Sequence, residues 1–95
     1  MSWTANVKVD PPQRSKAPPA LAYLGSLLHM VHLGASSDDL WHSTYDGTNW
    51  TANVKVDPPQ RSKAAPALAY FGGDGLLHMV HVGASSDDLW HSTWS

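Results

Sequence analysis

Cysteine is absent from this chain, and so is glutamate. Without cysteine no disulfide can staple a small fold and no thiolate chemistry is available. Without glutamate, the eight acidic residues are all aspartate, and the carboxyl group most often tuned as a general acid or base is missing. Charge is scarce and nearly balanced, at -2 with a pI near 6.2. A nucleic-acid-binding surface, which shows a basic stripe, is therefore not expected. No apolar run approaches the roughly 20 residues of a membrane-spanning helix, and Met1-Ser2 leads into the body of the chain without a signal-peptide pattern. Its 95 residues suffice for one small domain.

What is present is one segment written twice. Trp3 opens W-T-A-N-V-K-V-D-P-P-Q-R-S-K-A-P-P-A-L-A-Y, and Trp50 opens the same run with Ala65 in place of Pro18. Leu27–Thr44 returns as Leu76–Thr93 with Val82 in place of Leu33, after a two-residue slip where Gly73-Asp74-Gly75 stands against Ser26. A period of about 47 residues falls in the range of propeller blades and solenoid units, in which one repeat cannot bury its own apolar faces. Even the loops P-P-Q-R-S-K and G-A-S-S-D-D are preserved. Recent duplication or deliberate construction accounts for this, and we favour construction from a natural repeat parent.

Each repeat reads as four strands. In the first these are Pro19–Tyr23, Leu27–Leu33, Leu40–Tyr45 and Trp50–Val56. The second is apolar on both faces. In the fourth, Trp50, Ala52, Val54 and Val56 alternate with Thr51, Asn53 and Lys55, the period of a half-buried strand. Residues 34–39 are a polar hairpin loop, and Asp46-Gly47 marks a tight turn. Residues 57–63 carry two prolines that cannot donate to a ladder and suit a crossover. No segment has helical spacing. The expectation is an all-β chain of two tandem blades, repeat 1 over about 17–56 and repeat 2 over about 64–94, each blade a four-stranded antiparallel sheet of a β-propeller.

Residues 3–9 repeat the fourth strand, and the last strand-like run closes on a third. Two blades cannot close a ring. The segment 3–9 is therefore expected to complete a blade of a neighbouring copy, giving a homo-oligomer: a trimer of six blades or, alternatively, a tetramer of eight. A lone chain would leave strand edges and apolar faces open.

Trp41-His42 and Trp90-His91 lie on the third strands. Sugars stack their C–H faces on aromatic rings while fixed polar side chains read the hydroxyls, and Arg14 and Arg61 on the crossover loops complete a candidate set. The alternative is that each Trp packs between blades. His29 and His32, three apart on a strand, point to opposite faces, whereas His32 and His42 lie symmetrically about Ser37 and would share a face if paired directly. Two imidazoles alone do not make a zinc or copper site. No metal or cofactor is expected; the Asp38-Asp39 and Asp87-Asp88 pairs could collect a cation, and read equally well as solvated loop acids.

The pattern P-A-L-A-x-x-G, L-H-x-V-H-x-G and D-L-W-H-S-T-Y-D-G-T-N-W resembles the blades of bacterial and fungal β-propeller lectins, fucose-binding ones among them, over essentially the whole chain. That resemblance implies a small sugar site between adjacent blades, repeated around a ring, and in some members a trimer of two-blade chains. Thr44–Trp50 also resembles the Asp-box turn of sialidase-like propellers, but lacks the residue between Asp and Gly. Sialidase chemistry needs an arginine cluster, a tyrosine nucleophile and a carboxylate at one unique site. Arg14 and Arg61 are equivalent copies, so no enzyme is expected. A self-assembling scaffold without a ligand is the competing reading.

Overall fold

A computed structural model describes Ser2 and residues 4–95 of the chain. The described residues form seven strands and no helix: β1 (Ala20–Leu24), β2 (Leu27–Leu33), β3 (Leu40–Tyr45), β4 (Val54–Lys55), β5 (Ala67–Phe71), β6 (Leu76–Val82) and β7 (Leu89–Trp94). They make two antiparallel sheets, β1-β2-β3-β4 and β5-β6-β7. The chain is all-β, as its period-2 segments require. Trp3 lies outside the described residues, and residues 4–9 pair with no strand of their own chain.

The hairpins follow from their turn chemistry. Gly34 donates its amide to the Asp39 carbonyl (3.0 Å), so a six-residue loop sets Leu33 against Leu40. At the next turn Gly47 sits at φ 106°, a conformation open to glycine, and Asp46 Oδ1 accepts from the Thr48 and Asn49 amides, both at 2.8 Å. Those amides hold the Asp46 carboxyl below its ordinary range.

The fourth strand departs from simple alternation. Tyr45 bridges Trp50, yet His42 pairs with Val54 and Trp41 with Lys55, so one extra residue is taken up between Trp50 and Val54. This is a β-bulge. It turns Asn53 toward His32, whose Nε2 lies 3.3 Å from Asn53 Oδ1, and moves Val54 to the face of its cross-strand partner His42. Simple alternation with Trp50, Ala52, Val54 and Val56 would turn Asn53 to water; the bulge leaves its side chain half-buried instead.

Register assigns each sheet two unlike faces. One face of the first sheet carries His29, Val31, Leu33, Leu40 and His42. The facing side of the second carries Leu68, Leu77, Met79, Ser92 and Trp94. The core lies between them: Val31, Leu33, Leu40 and Met79 are buried, with Ala17, Val56 and Leu68 packed against them. β1 and β5 run beside one another where the sheets meet.

The crossover is clipped at both ends. Ser62 is fully buried, its amide donating to Asp38 O (2.9 Å) and its hydroxyl to Ala64 O (2.6 Å), and it bridges Gly83 of the second sheet. The loop acids are engaged as well. Asp38 accepts from Lys16 (3.0 Å) and lies near Arg61 (3.7 Å), while Asp39 meets Lys55 (3.5 Å). The Lys16 hydrogen bond and charge, with Arg61 behind them, hold the Asp38 carboxyl below its ordinary value.

Candidate functional site

An open cleft of ≈ 280 Å³ runs between the two sheets. Strand β3 supplies His42, β4 and the crossover supply Lys55, Asp57 and Gln60, and β7 supplies Ser92 and Trp94; Val31, Val54 and Met79 form an apolar floor. Polar groups with fixed positions therefore surround an apolar base beside one indole. Gln60 is held by two partners: its Oε1 accepts from the Ser92 hydroxyl (3.2 Å) and lies 3.1 Å from His81 Nε2.

The wall at His42 is an imidazole pair. His29 Nδ1 lies 2.9 Å from His42 Nε2, and the ring planes differ by 11°. The 5.2 Å between centroids equals that N···N distance plus the two ring radii, so the rings lie end to end along an N–H···N bond rather than face to face. Trp94 closes over both, its ring 4.8 Å from His29 and 5.5 Å from His42 at steep tilts. Burial lowers the pKa of both imidazoles. For His29 the Leu24 carbonyl works against it, and for His42 the charge on His29 adds to it.

The second repeat repeats the pair with one addition. His78 Nδ1 lies 2.9 Å from His91 Nε2 at 9°, and His78 Nε2 lies 2.8 Å from Asp74 Oδ2. Burial raises the Asp74 carboxyl, but the Leu76 amide and His78 outweigh it, and the pKa falls below the ordinary value. Asp74 belongs to the two-residue insertion, so the first pair has no counterpart carboxylate.

The residues singled out from the sequence fall in different places. His42 lines the cleft. Trp41, one position away, occupies the opposite face of the same strand, with Lys55 Nζ 5.7 Å from its ring centre and its Nε1 against Gly34. Trp90 and His91 are exposed on the second sheet. Arg61 is exposed beside Asp38 and Asp39, and Arg14 is exposed on the first crossover; neither lines the cleft. The direct pairing of His32 with His42 is corrected. β2 and β3 set His32 opposite Trp41 and His42 opposite Val31, which makes His29 the diagonal neighbour of His42. Among the described residues, no three His or Asp side chains converge as metal ligands do.

Trp94, Gln60 and Asp57 escaped sequence reasoning. Trp94 carried a signal, since it stands where the first repeat has Tyr45, one of few differences between the copies. The chain matches no protein-family model, no curated protein and no solved structure. No helix among the described residues is long and apolar enough to cross a membrane.

Proposed function

We propose that this chain is a carbohydrate-binding, lectin-like repeat protein. In this reading each sheet is a propeller blade, several copies close one ring, and a saccharide sits between consecutive blades. Three copies give six blades and four give eight, with residues 3–9 of each copy completing the three-stranded sheet of its neighbour. The observation that carries the reading is the inter-sheet cleft, which the Trp94 indole lines together with His42, Asp57 and Gln60. A sugar presents C–H groups to such a ring and hydroxyls to such a polar rim. At ≈ 280 Å³ the cleft lies just below the range of drug-sized pockets and suits one sugar ring. Weak sites repeated around a ring gain avidity on a multivalent surface through effective concentration.

The second reading, a self-assembling scaffold with no ligand, draws on a different observation. His42 and Gln60 already have partners within the chain, His29 for the first and Ser92 and His81 for the second. A broad array of neutral and acidic glycans decides between the two. The lectin reading expects bound glycans that free monosaccharide displaces; a properly folded ring that binds none leaves the scaffold.

A further inference from the structure

The two sheets of one chain meet through unlike faces, and each sheet keeps part of the complementary face uncovered; on the first, Met30, His32 and Ser43 are buried, the Ser43 hydroxyl donating to Gln13, while Leu21 and Tyr23 stay exposed. On the first sheet Val31 is 4% and Leu40 0% exposed, because the second sheet and Val56 cover them; the same positions on the second sheet, Val80 and Leu89, are 37% and 70% exposed. The reverse holds on the other side. Leu68 packs against the core, whereas its counterpart Leu21 is 51% exposed. The uncovered face of the second sheet thus has the composition of a face the chain already buries, and the uncovered face of the first has that of its partner.

Trp94 supplies the key to the seating. It rests on the His29–His42 pair across the inter-sheet contact. Among the described residues the corresponding pair, His78–His91, has no ring of another sheet over it: Phe71 of its own sheet meets His78 edge-on at 5.8 Å, Asp74 meets its Nε2, and His91 is exposed. Tyr45 occupies the Trp94 position on the first sheet and lies on the same uncovered face as Leu21.

We propose that Tyr45 of one copy seats on the His78–His91 pair of a second copy, so that alternate saccharide clefts are built across two copies. The occupant of both uncovered faces is the same chain, joined head to tail, a heterologous contact that closes into a ring when its rotation divides the circle. Residues 4–9, identical to 51–56, lie in this arrangement along β7 as Val54–Lys55 lies along β3. Lys8 and Asp10 then stand where Lys55 and Asp57 stand in the internal cleft. The internal cleft presents indole and the shared one presents phenol. Asp74 at His78 Nε2 orients the shared pair, with Nδ1 left to meet His91. The inference rests on the ring reading above and adds to it which residues make the joint.

Sedimentation equilibrium of the full chain tests it. Tyr45→Ala is expected to raise the concentration at which the oligomer dissociates by on the order of tenfold per joint, and Tyr45→Trp to restore it by copying Trp94. Tyr45 also packs 5.0 Å from Trp50 and donates its hydroxyl to Gly47 O (3.0 Å). Tyr45→Phe, which loses only that bond, is expected to stay near the parent value and so separates turn damage from loss of the ring. His91→Ala should weaken the joint similarly, and the double variant with Tyr45→Ala should be no weaker than the worse single one. A parent oligomer whose dissociation is unmoved by Tyr45→Ala, or additive losses in the double variant, overturns the seating while leaving the ring reading in place. A parent chain that is monomeric throughout overturns both.

Discussion

His29 and His42 share one N–H···N bond of 2.9 Å, in line and nearly coplanar, under the ring of Trp94. Such a bond needs one nitrogen bearing a proton and one bearing a lone pair. It tolerates the neutral pair and a single added charge, but not two.

That arrangement predicts acid sensitivity. Both pKa values are lowered from 6.5 in the fold. The unfolded chain then binds more protons than the folded one, so stability rises with pH across this range. The contribution is fully present above about pH 6.5 and is lost as pH falls through the lowered values. Thermal unfolding from pH 8 to pH 5 should show a falling Tm, and His42→Gln should flatten the dependence while lowering Tm at pH 8. An equally steep dependence in the variant would assign the effect elsewhere.

Gly34 is held by Trp41. A Cβ at position 34 would meet the indole Nε1 at 2.9 Å, and one at Gly83 would meet that of Trp90 at 2.7 Å. Gly34→Ala should cost about 1–3 kcal/mol through overpacking, read from denaturant unfolding with tryptophan emission as the probe. Gly83→Ala should cost less, because Trp90 is exposed and can swing away.

On the lectin reading, saccharide binding should depend on the cleft rather than on the crossover arginines. Asp57 is exposed and lines the cleft. Asp57→Asn should weaken a glycan found on the array by at least about tenfold, with stability changed by less than about 0.5 kcal/mol. Arg61→Ala should leave affinity within about threefold, its partners being the loop acids Asp38 and Asp39, whose exposed pairs contribute little. Titration calorimetry of the two variants reads the contrast directly.

Removal of residues 1–9 tests ring closure. On the ring reading the truncated chain leaves β7 without its added strand, and Leu89 and Trp90, 70% and 57% exposed in one chain, find no cover. Native mass measurement should then show aggregates or loss of the discrete oligomer. The same oligomer with unchanged Tm would remove the exchanged strand from the account.

Much of the fold was legible in the residues. β2 and β3 occupy the spans their apolar patterns mark, and both turns lie where Gly34–Asp39 and Asp46-Gly47 place them. Counting outward from Ser37 missed the hairpin's centre, because the Gly34–Asp39 bond makes the loop even and puts its midpoint between Ser36 and Ser37. That half-residue moves every cross-strand partner and exchanges His32 for His29 beside His42. The bulge before Val54 was equally hidden: Thr51 Oγ1 takes the Thr44 amide at 2.9 Å, a side chain answering where a carbonyl would, and alternation alone cannot register it. The cleft was least legible, since its walls come from residues 31 to 94 and exist only once two sheets face each other.

The buried backbone of Ser62 has a mechanical consequence. It fastens the crossover to Asp38 on one side and Gly83 on the other, so the tilt from one sheet to the next is governed by a short strut as well as by the apolar contact behind it. Curvature in a circular array is that tilt repeated. On the ring reading, lengthening or shortening P-P-Q-R-S-K should therefore change how many units complete a turn before it changes whether each unit folds, which would make residues 57–63 the dial for circumference.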